Sequence, residues 1–189
     1  MEEKYKNKII TVPNILSLFR LLLIPVIVWL YVVHQDPLRT TAVLALSGIT
    51  DIIDGVIARK YHMVSDFGKV FDPVADKLTQ IAVLLCLVTR FRWMLLPLGL
   101  LVVKELTAAA TGLLVIRKTG KVMGAVWHGK ATTAALYSMM LIHLMWYAIP
   151  QIVSGMLIGG CTVLILLSAI LYSVRNVSVL TGRRMESVK

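Results

Sequence analysis

Residues 51–76 read DIIDGVIARKYHMVSDFGKVFDPVAD, and five of the chain's ten acidic residues fall inside this one stretch. Asp51, Asp54, Asp72 and Asp76 stand at or inside the ends of two long apolar runs, where carboxylates should be scarce. Ionisable groups at membrane depth are expensive, so a cluster of them marks a functional site, and four carboxylates without an equal set of cations call for metal ions. The first pair is three residues apart and the second four, so on helices each pair projects from one face. If the two helices form a hairpin, the four carboxylates converge. Hard oxygen ligands in that number suit Mg2+ or Mn2+, and two such ions roughly 4 Å apart can clamp a diphosphate. Gly55 and Ala58 leave room against the backbone for a bulky group, and Arg59 offers a phosphate fork.

The rest of the chain predicts the setting. With 58% hydrophobic residues and a mean hydropathy of +0.80, the 189 residues are far more apolar than a soluble domain. The expectation is an all-α, polytopic integral membrane protein of about six transmembrane helices, near 14–34, 40–60, 72–90, 93–116, 131–149 and 152–174. That leaves no space for a soluble module, so residues 1–189 read as a single membrane domain. Asp36-Pro37 punctuates the first hairpin, residues 61–69 link the second and third helices, and residues 117–130 form the longest interior loop. The first apolar run is too long for a signal peptide and lacks a small-residue cleavage site.

The net charge of +10 is not spread evenly. Lys4, Lys6, Lys8, Arg59, Lys60, Lys69, Arg117, Lys118, Lys121, Lys130, Arg183, Arg184 and Lys189 all fall on one side of a six-helix arrangement. The other side holds only Arg39, Arg90 and Arg92. The positive-inside rule then predicts a cell-membrane protein with both termini and the Asp cluster facing the cytoplasm. Basic loops of this kind also attract anionic membrane lipids. No basic and aromatic surface module is present to bind nucleic acid.

The spacing Asp51-x2-Asp54-Gly55-x2-Ala58-Arg59-x8-Gly68-x3-Asp72-x3-Asp76 resembles the signature of the CDP-alcohol phosphotransferase family at all eight specified positions. Residues 11–20, TVPNILSLFR, are similar to the family's opening, with Ser17 where Thr is commoner. The resemblance implies transfer of a phosphatidyl group from CDP-diacylglycerol to an alcohol with release of CMP. It implies two ions, Mg2+ or Mn2+, on Asp51, Asp54, Asp72 and Asp76, with Asp76 also the catalytic general base. It assigns Gly55, Ala58, Arg59 and Gly68 to the CDP site, with Asn14 and Arg20 near the nucleotide or lipid phosphate. A homodimer is implied as well.

For the acceptor, the resemblance points first to glycerol 3-phosphate, giving phosphatidylglycerol phosphate. Members that use this acceptor typically carry an Arg-Glu pair in the fourth helix, a second Arg eight residues on, and a Gly-Lys-x-Lys-Thr run before the fifth. This chain has Lys104-Glu105, Gly112 and Gly129-Lys130-Ala131-Thr132-Thr133. Lys104 and Lys130, with Arg117 and Lys118, are therefore the candidate acceptor-binding cations. The departures keep open a cardiolipin synthase of the same family, whose acceptor is phosphatidylglycerol. An ion carrier using intramembrane carboxylates is the alternative from another class, but it has no need of Gly55, Ala58, Arg59 and Gly68 at these offsets.

Other candidate chemistry is thin. Cys86 and Cys161 lie in separate apolar runs and read as small core residues. His34, His62, His128 and His143 lack metal-ligand spacing and read as interfacial or packing residues, with His128 placed to border an acceptor pocket. Lys104 and Glu105 interrupt an apolar span. As neighbours they point about 100° apart, which predicts that each finds its partner elsewhere rather than in the other.

Overall fold

The computed structural model describes residues 11–61, 65, 67–119, 127–146 and 148–180, apart from the side chains of Arg59, Lys69, Thr119, His128 and Leu180. Among these residues there are six α-helices and no strand. They are α1 (Val12–Val32), α2 (Pro37–Lys60), α3 (Gly68–Val88), α4 (Leu95–Thr119), α5 (Trp127–Met145) and α6 (Gln151–Leu180), with a 3-10 turn at Arg92–Met94 before α4.

The helix starts follow from local chemistry. Thr11 caps α1 by accepting from the Asn14 amide, and Asp36 caps α2 by accepting from the Arg39 amide at 2.9 Å; a proline sits in the first turn of each helix. The expected boundaries hold to within a few residues, with two differences. Helix α4 continues to Thr119 and α5 begins at Trp127, so Arg117, Lys118 and Lys130 lie on helix ends rather than in a loop. Helix α6 runs on to Leu180, six residues past the expected end, because no glycine or proline interrupts residues 174–180.

Four segments, Val12–Val32, Pro37–Ala58, Arg92–Lys118 and Gln151–Val179, are long and apolar enough to cross a membrane. Helix α3 carries Asp72, Asp76 and Lys77, and α5 carries Lys130, His128 and His143, which lowers the apolarity of both. Large apolar side chains cover the outside of the helices: Leu22, Leu106, Met156 and Ile152 are 61% to 74% exposed. Water would not tolerate so continuous an apolar surface, whereas lipid tails would, and the chain is an integral membrane protein.

The described residues gather into two compact units. The first takes the described residues within 1–91 and 140–148, and the second those within 92–139 and 149–189. In the first unit α1 packs on both α2 and α3. Its buried stripe, Asn14, Ser17, Arg20, Leu23, Ile27 and Leu30, recurs every three or four residues and therefore lies on one face. The first half of that stripe is polar and the second half apolar. Leu44, Val83, Leu84 and Leu87 are buried in the same unit as the apolar half, while the polar half reaches the carboxylates through Ser17 and Arg20. In the second unit α4 packs on α6, with Leu101, Val115, Leu136, Ile158 and Ile165 buried.

Candidate active site

The site is built by α1, α2 and α3 of the first unit. The carboxylates of Asp51 and Asp54, one turn apart on α2, and of Asp72 on α3 each offer an oxygen, all within 4.8 Å of one another. Asp54 is 1% exposed, whereas Asp51 and Asp72 are 38% and 40% exposed, so the cluster has a closed floor and an open rim. Arg20, 0% exposed on α1, inserts its guanidinium among them. Its Nη1 lies 2.5 Å from Asp51 Oδ1, and its Nη2 lies 2.6 Å from Asp54 Oδ2 and 3.5 Å from Asp72 Oδ1.

Three carboxylates against one guanidinium still leave an excess of negative charge. Asp54 Oδ1 is buried with no hydrogen-bond partner among the described residues. A buried carboxylate oxygen in that condition is costly unless something cationic takes its lone pairs. The donor set, carboxylate oxygens alone, fits a hard divalent cation.

The neighbours of the cluster hold it in shape. The Ser17 hydroxyl sits 2.9 Å from Asp72 Oδ1 and 3.0 Å from the Pro13 carbonyl, sharing its single proton between them. Asn14 Nδ2 donates to Ser65 Oγ at 3.0 Å, and the Gly68 amide donates to the same oxygen at 2.9 Å, tying the start of α3 to α1. A Cβ on Gly68 would collide with Asn14 Oδ1, so any larger residue there must push the Asn14 side chain aside.

Asp76 lies one turn beyond Asp72 and does not join the group of three. Its Oδ2 accepts from Gln80 Nε2 at 2.9 Å and pairs with Lys77 Nζ at 3.3 Å. Gly55 and Ala58 are half-buried on α2, and the side chain of Arg59 lies outside the described residues. Arg20, expected near a phosphate, is occupied by the carboxylates, and Asn14 by Ser65. Ser65, Lys77 and Gln80 escaped sequence reasoning. The buried stripe of α1 was the available signal for Ser17, and nothing local marks Ser65.

The acceptor candidates belong to the second unit. Lys104 is buried, with Nζ 2.7 Å from Glu105 Oε1 and 5.8 Å from the centre of the Tyr172 ring on α6. The expectation that these neighbours would not pair is thus overturned: the four-carbon stem of lysine spans the 100° between them. Arg175 lies 5.6 Å from the same ring, and Gly129 makes room for the Tyr172 hydroxyl, which a Cβ there would meet at 2.8 Å. Lys130, Arg117 and Lys118 are exposed. Cys86 and Cys161 are buried and unbridged, His34 and His143 pack edge-on against Trp29 and Phe91, and His62 lies outside the described residues.

Residues 10–175 match the family model of the CDP-alcohol phosphatidyltransferases, a stretch that includes the whole carboxylate cluster. The chain belongs to that family, whose members depend on divalent metal in general. Among similar proteins, a CDP-diacylglycerol–glycerol-3-phosphate 3-phosphatidyltransferase of Rickettsia typhi is 48% identical over 68 residues, 35% of this chain and 38% of its own length. One of the same name from Blochmanniella floridana is 29% identical over 132 residues, 67% of this chain and 70% of its own. A CMP-forming cardiolipin synthase of Streptomyces coelicolor is 37% identical over 102 residues, 51% of this chain and 46% of its own. The matched stretch thus spans less than half of the Rickettsia and Streptomyces enzymes.

Proposed function

We propose that this protein is a metal-dependent enzyme of phospholipid synthesis that transfers a phosphatidyl group from CDP-diacylglycerol to glycerol 3-phosphate, releasing CMP and forming phosphatidylglycerol phosphate. The observation that carries the reading is the meeting of Asp51, Asp54 and Asp72 around a buried carboxylate oxygen that has no protein partner among the described residues. Asp51, Asp54 and Asp72, with Asp76 at the edge, would hold two ions, Mg2+ or Mn2+. Such ions, when bound, neutralise a diphosphate and stabilise charge on attacking and leaving oxygens.

The chain's own residues do the rest. Arg20 keeps Asp51 and Asp54 in register, and Ser17 orients Asp72. Asp76 takes the proton of the acceptor hydroxyl, whose oxygen bonds to the lipid-side phosphorus while the bond from that phosphorus to the CMP oxygen breaks. Gln80 and Lys77 hold Asp76 ready for that role. Gly55, Ala58, Arg59 and Gly68 line the CDP site in this reading. Lys104 and Lys130, with Arg117 and Lys118, supply positive charge for an acceptor phosphate. The placement of basic residues supports a cytoplasmic active site in the cell membrane. The protein is expected to act as a homodimer.

The likeness to a cardiolipin synthase, together with Gly112 and Thr132 at positions where glycerol 3-phosphate users carry cations, favours phosphatidylglycerol as the second acceptor to consider. One assay separates the two. Purified protein with CDP-diacylglycerol and Mn2+ should release CMP on addition of glycerol 3-phosphate and not of phosphatidylglycerol, and EDTA should abolish the release. The reverse acceptor preference would replace the leading reading, and full activity in EDTA would sink both.

A further inference from the structure

Arg20 is the cation of the carboxylate cluster, yet its donors are poorly used. Among the described residues, the ion pairs of Asp51, Asp54 and Asp72 all run to this one guanidinium. Nη2 donates to Asp54 Oδ2 at 2.6 Å. Nη1 lies close to Asp51 Oδ1 without hydrogen-bond geometry, and Nε has no hydrogen-bond partner among the described residues, although both atoms are buried. A guanidinium offers five N–H donors in a fork that matches a carboxylate with two parallel bonds. A buried arginine kept only to hold helices together is expected to use that fork, because each buried donor left unmet is costly. Arg20 does not, so charge rather than hydrogen bonding holds it among the acids.

The oxygens that it contacts are the ones a divalent ion would need. Arg20 lies against Asp51 Oδ1, Asp54 Oδ2 and Asp72 Oδ1, one oxygen from each member of the group able to hold a metal. Asp54 Oδ1 stays open, but an ion there would share a carboxylate with the guanidinium and stand within a few Å of it. Two cations that close repel strongly, and burial leaves little solvent to screen them. The charge count points the same way. Three carboxylates and one guanidinium leave two negative charges, which a single divalent ion cancels. A second ion would bring an excess of positive charge for as long as the guanidinium stays, and the next carboxylate, Asp76, is already paired with Lys77.

We propose that Arg20 is an internal competitor for the metal site. Its guanidinium and divalent ions contend for the same three carboxylates, so Arg20 sets the metal concentration at which the site fills. Without metal it keeps the acids from repelling one another, and as metal binds it gives them up. This inference rests on the reading of the cluster as a metal site.

The test is Mn2+ binding to the purified full chain, followed through the electron paramagnetic resonance signal of the free ion, with no substrate present. Arg20→Gln, which removes the charge, should bind Mn2+ at least about tenfold more tightly than wild type, the worth of one charge-assisted contact. Arg20→Lys should fall between the two, because its ammonium is a point charge on a shorter stem that reaches fewer of the acids. Asp54→Ala should lose the binding, which assigns the ion to this cluster. Melting temperatures verify that the variants are folded, and if Arg20→Gln is not, the gain in Arg20→Lys decides. Asp54-dependent Mn2+ binding that the folded Arg20 variants leave unchanged or weaken would overturn this inference alone and make Arg20 a clamp on the ligands. Absence of Mn2+ binding from wild type and variants alike would overturn the metal reading with it.

Discussion

In the first unit three carboxylates, Asp51, Asp54 and Asp72, share one guanidinium, whereas in the second unit two cations, Lys104 and Arg175, flank the ring of Tyr172, with one carboxylate, Glu105, on Lys104. The first centre gathers mainly carboxylates and the second mainly cations. Charged side chains inside a membrane protein are costly, so such gatherings are functional by default. The acid-rich centre is complementary to cations and the base-rich centre to anions. That division of labour suits the proposed reaction, whose one substrate would carry a diphosphate and whose other would carry a phosphate.

The comparison breaks most sharply at Asp76. Asp76→Asn is expected to lower kcat by about 10²- to 10⁴-fold, because the amide keeps the bond geometry near Gln80 but cannot take a proton. Affinity for CDP-diacylglycerol should change little, since the three clustered carboxylates are intact. CMP release at near wild-type rate would remove the proton-accepting role.

Next in size is the arginine that offsets the acidic centre. Arg20→Met should cost about 3 to 5 kcal/mol of stability, since it leaves the buried Asp54 carboxylate without its partner. Mn2+ should then raise the melting temperature of the variant more than that of wild type, as added cation replaces the lost one. Equal gains in both proteins would show that the cluster does not respond to metal as a charge-deficient site must.

The base-rich centre has its own test. Lys104→Ala should raise the apparent KM for glycerol 3-phosphate by roughly 10- to 150-fold with the KM for CDP-diacylglycerol unchanged, the loss expected of one contact to a phosphate. A matching rise in both constants would mean that the lysine only supports the fold.

The smallest effect is steric. Gly68→Ala should destabilise by about 1 kcal/mol, because the new methyl displaces Asn14 from Ser65. Asn14→Ala should add little on top of it, as the two residues share one contact. Additive losses would separate Gly68 from Asn14.

The helices, their membrane setting and the positions of the acids were all legible in the chain. Helix periodicity, apolar length and the Asp36 and Thr11 caps act within a few residues, so local order carries them. The i, i+3 spacing of Asp51 and Asp54 likewise determines that they share a face. What tertiary structure alone decided is which groups meet across tens of residues. Arg20 stands 34 positions from Asp54, and Ser17 stands 55 from Asp72. Nothing in the spacing of four aspartates foresees that Asp51, Asp54 and Asp72 gather closest while Asp76 bonds Gln80 and pairs with Lys77 within α3. Nor does a helical wheel foresee Lys104 folding back onto Glu105, because a wheel records where Cβ points and not how far a flexible stem can turn. Sequence sets the direction in which each side chain leaves the backbone, and packing of α1 against α2 and α3 determines what it finds there.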